Sequence, residues 1–409
     1  MSIDESTDSE LSTAWSEYYR ALEQVRSNVE SSPRYRDRPE HRAKAYHVLM
    51  EIQALSFNLV IAPRMTNPRL LRALSYQTDI YATGLPGPDF VYATALLDGS
   101  QAYRMRGRLV QTRMFVIQTF AAMWGEQGYK NSGNYDLSTM NVEPDGTFEL
   151  IIGGPEQRSN WIPLNSAADF QPLVVRRQVA SWADDTGELS LERTSPIEDG
   201  YYDGDEFDPD TQSRRIRRAT EYIKFLGETY VLGLYEITLA SCNNQKNVIC
   251  LWSQAGKSKA GGIGLANYIA GIFDVQADEA LLMEMPGQPD AAYWSFQLGD
   301  VWGRSLPFQD RQVSLNMDEA STDGDGNIRV VLSHRDPGVV NWLDTAGRTE
   351  GIILYRNYLA GVPVIPTVRK VRFAELDSLL PKDTRRISPA ARRARLDAHR
   401  RNVLRVMDG

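Results

Sequence analysis

The stretch that decides the fold runs from residue 293 to residue 348, YWSFQLGDVWGRSLPFQDRQVSLNMDEASTDGDGNIRVVLSHRDPGVVNWLDTAGR. Residues 293–298 alternate large apolar with small or polar side chains, a pattern typical of a half-buried strand. The run DGDGN at 323–327 favours a tight hairpin turn, because Asp-Gly pairs tolerate positive φ angles. Residues 328–332 are therefore predicted to be the return strand, and the stretch as a whole predicts a β-rich fold.

Four motifs in this stretch resemble a bacterial family, domain of unknown function 1214. They are Tyr293-Trp294-Ser295, Arg311-Gln312-Val313-Ser314-Leu315-Asn316, Asp323-Gly324-Asp325-Gly326, and the run DPGVVNWLDTAG from Asp336 to Gly347. The resemblance covers the last third of the chain well and residues 89–193 weakly. It implies a jelly-roll-like β-sandwich that is often paired with a second related domain, and it implies no established chemistry.

Length and composition are those of a globular protein with more than one domain. The chain has 409 residues, of which 42% are hydrophobic and 24% charged, so two or three domains can each bury a core. We find no apolar run near the length that spans a bilayer, and the acidic N-terminus MSIDESTDSE does not fit a secretory signal. The sequence therefore predicts a cytoplasmic protein without a membrane span.

The net charge of −8 is unevenly distributed. From Lys382 onward there are nine basic and three acidic residues, so the remainder of the chain carries a balance of −14. A body this acidic is a poor binder of nucleic acid, which needs a basic surface. The basic tail is predicted to form a helix from Ser388-Pro389 to near Met407. That helix would pack on the acidic body or on a second subunit, as in a homo-oligomer.

The predicted fold class is α+β and β-rich, with two jelly-roll-like β-sandwich units. We predict a helical N-terminal segment at 1–88, a first sandwich unit at 89–197 and an acidic linker with a helical bridge at 198–277. A second sandwich unit at 278–381 and a basic C-terminal helix at 382–409 complete the chain. Short β-type runs separated by Gly-, Pro- and Asp-rich turns are the basis for the two sandwich units.

Several local predictions are specific enough to test. Disorder is predicted up to about Glu10, followed by a helix whose apolar stripe is Leu11, Trp15, Tyr18, Leu22, Val25 and Val29. Further helices are predicted from Pro39 to about Ile61, over Leu70, Leu71 and Leu74, from Arg214 to about Ser241, and from Leu265 to Phe273. A Lys- and Gly-rich loop is predicted at 256–264.

The two cysteines, Cys242 and Cys250, are close enough in sequence to face each other across a turn. Two thiols in a large chain do not make a disulfide framework, and disulfides are rare in the cytoplasm. The compartment argument favours free, partly buried thiols over a bridge.

No common metal or cofactor motif is complete. The four histidines match no zinc spacing. The Asp-Gly run at 323–327 lacks the later glutamate of a calcium loop, and Ala255-Gly256-Lys257-Ser258 lacks the upstream glycine of a phosphate-binding loop. A Gly-x-Ser-x-Gly nucleophile elbow is also missing from the sequence. We therefore predict no metal and no organic cofactor.

Polar side chains gather in the predicted turns of the decisive stretch. His334 and Asp336 are the predicted proton-transfer residues, because a histidine near a carboxylate exchanges protons near neutral pH, and Arg311 and Arg335 would hold an anion. The predicted substrate-binding residues are Trp294, Asn316, Asn341, Trp342, Asp344 and Arg356, since tryptophans stack on flat apolar ligands. The alternative is that the charged groups bridge ordinary turns while the tryptophans fill the core.

The first functional hypothesis is an enzyme without organic cofactor that acts on a hydrophobic small molecule, such as a terpenoid, a steroid or an aromatic compound. It would hold this ligand in an aromatic-lined cavity and act as a lyase, isomerase or hydrolase. One alternative is a non-catalytic β-sandwich module that binds a glycan or lipid. Another is an oligomeric interaction protein that assembles through its C-terminal helix.

Overall fold

The structure is a computed structural model that describes residues 5–64, 67–71, 81–196 and 208–408. The chain divides into two compact units. The first unit consists of residues 1–75, 91–177 and 186–231, and the second consists of residues 76–90, 178–185 and 232–409. Two short segments that lie between parts of the first unit in the sequence, residues 76–90 and 178–185, thus belong to the second unit.

Helices open and close the first unit. They are α1 (Glu5–Ser31), α2 (Pro33–Arg36), α3 (Arg42–Ser56), which a π-helical turn extends over Phe57–Ile61, and α4 (Pro209–Phe225). Asp208 caps α4, since its carboxylate accepts a hydrogen bond from the Thr211 amide (2.9 Å) and Pro209 occupies the first turn. Helix α1 packs along α4. Its buried residues are Ala14, Ala21, Val25 and Val29, one stripe at helical spacing.

In the part of the first unit that the structure describes, eight strands form two sheets. They are β1 (Phe90–Leu97), β2 (Ala102–Arg108), β3 (Phe115–Phe120), β4 (Asn131–Asp136), β5 (Thr147–Gly153), β6 (Trp161–Ile162), β7 (Gln171–Gln178) and β8 (Leu189–Arg193). The strand orders are β1-β7-β3-β4 and β6-β5-β2-β8. Side chains from both sheets, including Leu97, Tyr103, Ile117 and Leu150, form one buried cluster, so the sheets pack face to face as a sandwich.

The second unit is also built from two sheets. Its strands are β9 (Cys250–Leu251), β10 (Ala266–Asp274), β11 (Glu279–Met285), β12 (Tyr293–Gly299), β13 (Ser314–Asn316), β14 (Ile328–Ser333), β15 (Trp342–Asp344), β16 (Glu350–Tyr358) and β17 (Thr367–Arg372). The five-stranded sheet has the order β13-β12-β16-β10-β9, and the four-stranded sheet has the order β15-β14-β11-β17. The helices are α5 (Leu234–Ser241), α6 (Gln254–Lys259), α7 (Leu376–Leu379) and α8 (Pro389–Asp408).

One face of the four-stranded sheet carries a compact apolar cluster. Ala280 and Leu282 from β11 and Val331 from β14 pack with Trp342 and with Leu376 of α7. The short helix thus covers this face. The β-rich α+β class and the sandwich-like units predicted from the sequence are confirmed.

Three helix predictions hold in outline. The predicted helix from Pro39 to about Ile61 is a 3-10 turn at Pro39–His41 followed by α3 and its π-helical extension. The one from Arg214 to about Ser241 is α4, a π-helical stretch at Leu226–Gly233 and α5. The basic C-terminal helix is α8.

None of the helices in the described residues is long and apolar enough to cross a membrane.

Other local predictions were wrong. Helix α1 already begins at Glu5, so residues 5–10 are helical in the structure. Trp15 is 53% exposed, while Ala14 and Ala21 of the same helix are buried. Residues 70 and 71 are not helical, and Leu71 forms an isolated β-bridge with Thr94. Residue 74 and residues 198–207 of the predicted acidic linker, which was expected to extend to Asp210, lie outside the described residues.

The largest error is the predicted helix from Leu265 to Phe273, which is strand β10. This strand pairs with β9 and β16 on its two sides and is largely buried on both faces. A strand buried on both faces lacks the period-two pattern, so periodicity does not distinguish it from a short helix. Conversely, part of the predicted 256–264 loop is helix α6, which Ser253 caps.

The Asp-Gly run forms a turn, but it does not join neighbouring strands. The Gly326 amide donates to the Asp323 carbonyl (2.9 Å), as a tight turn requires. However, β13 before it pairs with β12, and β14 after it pairs with β11 and β15. The turn therefore connects the two sheets of the second unit, and the predicted hairpin was wrong.

Cys242 and Cys250 are joined by a disulfide, with Cα atoms 5.5 Å apart. The bridge ties the end of α5 to β9. The prediction of free thiols, which followed from the presumed compartment and not from geometry, was therefore wrong.

Candidate functional site

One face of the five-stranded sheet in the second unit is unusually polar. Side chains alternate along a strand, so Tyr293, Ser295 and Gln297 of β12 share a face. The strand register places Asn316, Ser295, Arg356 and Tyr268 opposite one another on four adjacent strands. We call this the polar sheet face; its residues are Tyr268, Tyr293, Ser295, Gln297, Asn316 and Arg356.

The segment 84–89 lies over the polar sheet face. The Pro86 carbonyl accepts hydrogen bonds from Gln297 Nε2 (2.8 Å) and Ser305 Oγ (2.9 Å). A Cβ at Gly299 would come within 2.2 Å of the end of the Leu85 side chain, so a larger residue at this position would displace Leu85. Segment and sheet are thereby held together, and the polar side chains beneath are largely removed from water.

Asp89, at the end of that segment, is the central ionisable group of the site. Its carboxylate accepts hydrogen bonds from the Tyr293 hydroxyl (2.5 Å) and the Asn316 amide (3.1 Å), both neutral groups. The pKa of Asp89 is raised to about 7, mainly by burial and then by the nearby charge of Glu319, while the two hydrogen bonds oppose the shift. Burial, then Asp89 itself, raises the pKa of Tyr293 well above its usual value. The pair therefore holds a proton that is exchangeable near neutral pH.

Arg356 supplies a positive charge to the same face. Its guanidinium donates to the Gln297 side chain and to the Leu85 carbonyl (2.5 Å), and it lies 5.6 Å from the centre of the Tyr268 ring. Arg356 also opposes the rise in the Tyr293 pKa. A cation beside a phenol and a carboxyl can hold an oxygen on which negative charge develops.

Among the predicted site residues, Asn316 and Arg356 lie on the polar sheet face, and Trp294 does not. Trp294 is fully buried on the opposite face of β12, where its ring meets Phe296 and Tyr355, and its indole N–H donates to Gln288 (2.9 Å). Its position is that of a core residue.

Asp336 and Trp342 lie around an arginine that sequence analysis did not single out. Arg392 of α8, with 4% of its side chain exposed, donates from Nε and Nη2 to the two carboxylate oxygens of Asp336 (3.0 and 3.1 Å). It also donates to the Gln312 side chain and the Val339 carbonyl, and it lies 5.0 Å from the centre of a Trp342 ring. These partners form a socket that fixes α8.

The other predicted residues are distributed over separate contacts. His334 bonds through its two ring nitrogens to the Val275 carbonyl and to Thr345 Oγ1 (both 3.0 Å), while Arg335 lies over the Phe373 ring at 4.2 Å. The Asn341 amide bonds to Ser321 and to the Arg329 carbonyl, which closes a loop. Arg311 pairs with Asp344 at 2.9 Å.

Sequence reasoning missed Asp89 and Tyr293 as a pair. They are more than two hundred residues apart, and Asp89 follows the run GLPGP, where a carboxylate is expected to face water. In the sequence, Tyr293 is only the first residue of an alternating strand and of a family motif. No local signal reveals that the two side chains meet.

The described residues include no group of three or more His, Cys, Asp or Glu side chains placed to hold a metal ion.

The first unit has an open cleft of about 1330 Å³ on its sheet β6-β5-β2-β8, lined among others by Arg106, Glu149, Arg158 and Asn160. This lining is polar and mixed in charge.

The fold recurs in solved structures. An uncharacterized protein from Burkholderia cenocepacia superimposes with a TM-score of 0.78 at 24% sequence identity, covering 90% of this chain and 99% of that chain. The VPA0106 protein from Vibrio parahaemolyticus gives a TM-score of 0.44 at 11% identity, over 79% of this chain and 96% of that one. The first likeness shows the fold alone, and no curated protein matches this chain.

The polar sheet face and the Arg392 socket both draw on one segment of the chain, residues 274–361. This segment includes Tyr293, Asn316, Asp336, Trp342 and Arg356, which come from the motifs quoted above or lie close to them. Residues 274–361 match the family described as protein of unknown function (DUF1214), as the motifs predicted.

Proposed function

We propose that the protein is an enzyme that transfers protons on an apolar small molecule, with Asp89 and Tyr293 as its acid–base pair. The observation that carries this proposal is the buried Asp89 carboxyl, which two neutral hydrogen-bond donors hold, with no salt bridge to it among the residues that the structure describes. A general acid or base works best when its pKa lies near the working pH, and the pKa of Asp89 is about 7.

The neighbouring groups fit such a reaction. In its ionised form Asp89 would accept a proton from a carbon next to a carbonyl, while the Tyr293 hydroxyl and the Arg356 guanidinium would stabilise the enolate oxygen. Returning the proton at another position would complete an isomerisation. Since Asp89 and Tyr293 are 6% and 1% exposed, the substrate would enter by displacing the segment 84–89.

The experiment follows proton exchange and needs no knowledge of the product. Purified protein in D2O is incubated with a panel of apolar ketones of the terpenoid, steroid and aromatic classes, and deuterium uptake next to the carbonyl is followed by NMR. We expect Asp89→Asn and Tyr293→Phe each to lower the exchange rate of an accepted compound by about 100-fold or more.

The variants His334→Ala and Asp336→Asn test the pair predicted from the sequence. If they abolish exchange while Asp89→Asn preserves it, proton transfer belongs to His334 and Asp336. If no ketone of the panel exchanges faster than with heat-denatured protein, the acid–base function on such substrates is refuted.

Two observations favour roles in binding. The polar cleft of the first unit would suit a glycan, and a non-catalytic module that binds one there is the second candidate. Helix α8 also exposes Arg393, Arg400 and Arg401 on one side, which suits an acidic partner surface such as a second copy of the chain. A cytoplasmic location stays a prediction.

A further inference from the structure

A continuous series of contacts joins Asp89 to the C-terminal helix α8. The first member is Asn316, whose Nδ2 donates a hydrogen bond to the Asp89 carboxylate (3.1 Å). The Asn316 Oδ1 accepts hydrogen bonds from the backbone amides of Asp318 (3.0 Å) and Glu319 (3.1 Å). Because a backbone amide N–H can only donate, these two bonds determine which end of the Asn316 side chain faces Asp89. Asn316 is therefore held in the orientation that donates to the carboxylate.

The second member of the series is Glu319, in the turn that follows β13. The backbone amides of Glu319 and Ala320 donate to the Asn316 carbonyl (3.2 and 3.0 Å), which closes this turn. The Glu319 carboxylate pairs with Nη2 of Arg395 on α8 at 2.9 Å, and 32% and 31% of the two side chains are exposed. An ion pair this exposed contributes little to stability by itself. Its position matters more, because it connects α8 to the turn that orients Asn316.

The charged groups that face Asp89 come from separate elements. After burial, the charge of Glu319 contributes most to the raised pKa of Asp89, and Asp318 from the same turn adds to it. From β12, the Tyr293 hydroxyl opposes the rise through its hydrogen bond. Burial also raises the pKa of Tyr293, and Arg356 on β16 opposes that rise. The charge of Glu319 therefore disfavours the ionised form of Asp89.

Helix α8 brings two titratable side chains to Glu319. Arg395 is the ion-pair partner, and a guanidinium stays charged at every pH at which the protein is folded. His399, one turn further along, also interacts with Glu319. Burial lowers the pKa of His399, while Glu319 and a hydrogen bond to the backbone of Phe308 oppose this shift. His399 is thus neutral near pH 7, and Arg395 is the cation of α8 that balances Glu319 there.

We propose that helix α8 regulates the acid–base pair through three positioning residues, Arg395, Glu319 and Asn316. With α8 in place, Arg395 screens the charge of Glu319 and steadies the turn that orients Asn316. Without this contact, the unscreened Glu319 carboxylate would disfavour ionised Asp89, and a looser Asn316 would donate to it less well. Release of α8 would therefore leave less of the ionised base near pH 7. As regulation of catalysis the inference rests on the function proposed above, whereas the link between α8 and Asp89 does not.

The test follows the Asp89 carboxyl itself. Full-length protein with isotope-labelled aspartate carboxyl groups is titrated with acid and base in the NMR spectrometer, and Asp89→Asn identifies the signal. We expect Glu319→Gln to lower the midpoint pH of this signal and Arg395→Met to raise it, each by about half a pH unit or more. In a chain that already carries Glu319→Gln, Arg395→Met should have little effect, because the charge that it screens is gone.

The matched control is Lys370→Met, which also removes a cation from a carboxylate, that of Glu279 (2.7 Å), but on β17 and outside this series of contacts. It should leave the midpoint unchanged. The proposal is overturned by an unchanged midpoint in Glu319→Gln, or by an equal effect of Arg395→Met with and without Glu319. Should Arg395→Met fail to fold, Glu319→Gln alone decides. Because the titration needs no substrate, shifted midpoints without any ketone exchange would refute the acid–base function and leave the link to α8 intact.

Discussion

At the scale of single residues, Asp89 illustrates how environment changes a common side chain. A carboxyl in water ionises near pH 4, but Asp89 is buried against a tyrosine and an amide, which cannot neutralise its charge. The pKa of Asp89 in the folded protein is therefore raised to about 7, and below that pH the protonated form is favoured. The same burial that makes Asp89 a candidate acid also makes its ionised form unfavourable, so at high pH the Asp89 carboxylate lowers the stability of the folded protein.

Asp89 should make stability depend on pH in a defined direction. Because its pKa is raised on folding, its contribution to stability is complete below about pH 4 and is lost as the pH rises through about 7. We expect urea unfolding of the native chain to show a fall of a few kcal/mol across this window, and Asp89→Asn to remove that component of the fall.

The control for this measurement is Asp325→Asn. Arg329 lowers the pKa of the exposed Asp325 to about 2, so its contribution is already complete above pH 4 and is lost only in more acidic solution. Its pH profile between 4 and 9 should therefore parallel that of the native chain. A profile for Asp89→Asn that also parallels the native one would refute the raised pKa.

At the scale of elements, helix α8 depends on one arginine. Arg392 fills a socket made by Asp336, Gln312, Val339 and Trp342, so the long motif from Asp336 to Gly347 serves partly to hold the C-terminal helix. Buried charge pairs are expensive to break, because the remaining partner stays in a poorly solvated place.

Arg392→Met should destabilise the protein by about 3–5 kcal/mol, since it leaves the Asp336 carboxylate without its cation. We also expect α8 to become sensitive to trypsin before the rest of the chain unfolds. Arg393→Met, one position along, removes an exposed arginine and should have little effect on either measurement. Equal stability of the two variants would show that the socket does not hold the helix.

The disulfide joins two elements that are close in sequence. Under the chain-entropy account, a bridge that closes a loop this short contributes about 2–3 kcal/mol, and Cys250→Ser should lower stability by that amount. Iodoacetamide added to unfolded, unreduced protein should modify no cysteine. Full alkylation without reductant would instead support free thiols and the predicted cytoplasmic location.

At the scale of the whole molecule, each unit is a sandwich-like pair of sheets, and the chain carries its positive surplus at the C-terminus. If α8 binds a second copy of the chain, we expect light scattering to find an oligomer. The mass should fall to that of one chain in a variant that combines Arg393→Glu, Arg400→Glu and Arg401→Glu. Arg369→Glu, a charge reversal on β17, is the control. A native mass equal to that of one chain would refute this assembly.

The sequence by itself determined the features that local chemistry controls. Alternation predicted β12, turn residues placed the breaks between strands, and apolar spacing and proline placed α3 and α8. Motif similarity predicted a resemblance in the last third of the chain to the family that residues 274–361 match. These signals arise within a few neighbouring residues, so they can be read without knowing the fold.

Only the tertiary structure decided which side chains meet. Residues 266–274 are a strand because β9 and β16 pair with them, and the Cys242–Cys250 bridge and the Arg392 socket depend on positions that no local pattern encodes. Asp89 meets Tyr293 for the same reason, since the segment 84–89 lies across a sheet whose strands come from much later in the chain. The physical cause is that burial and pairing set the energies of these groups, and both are properties of the folded chain.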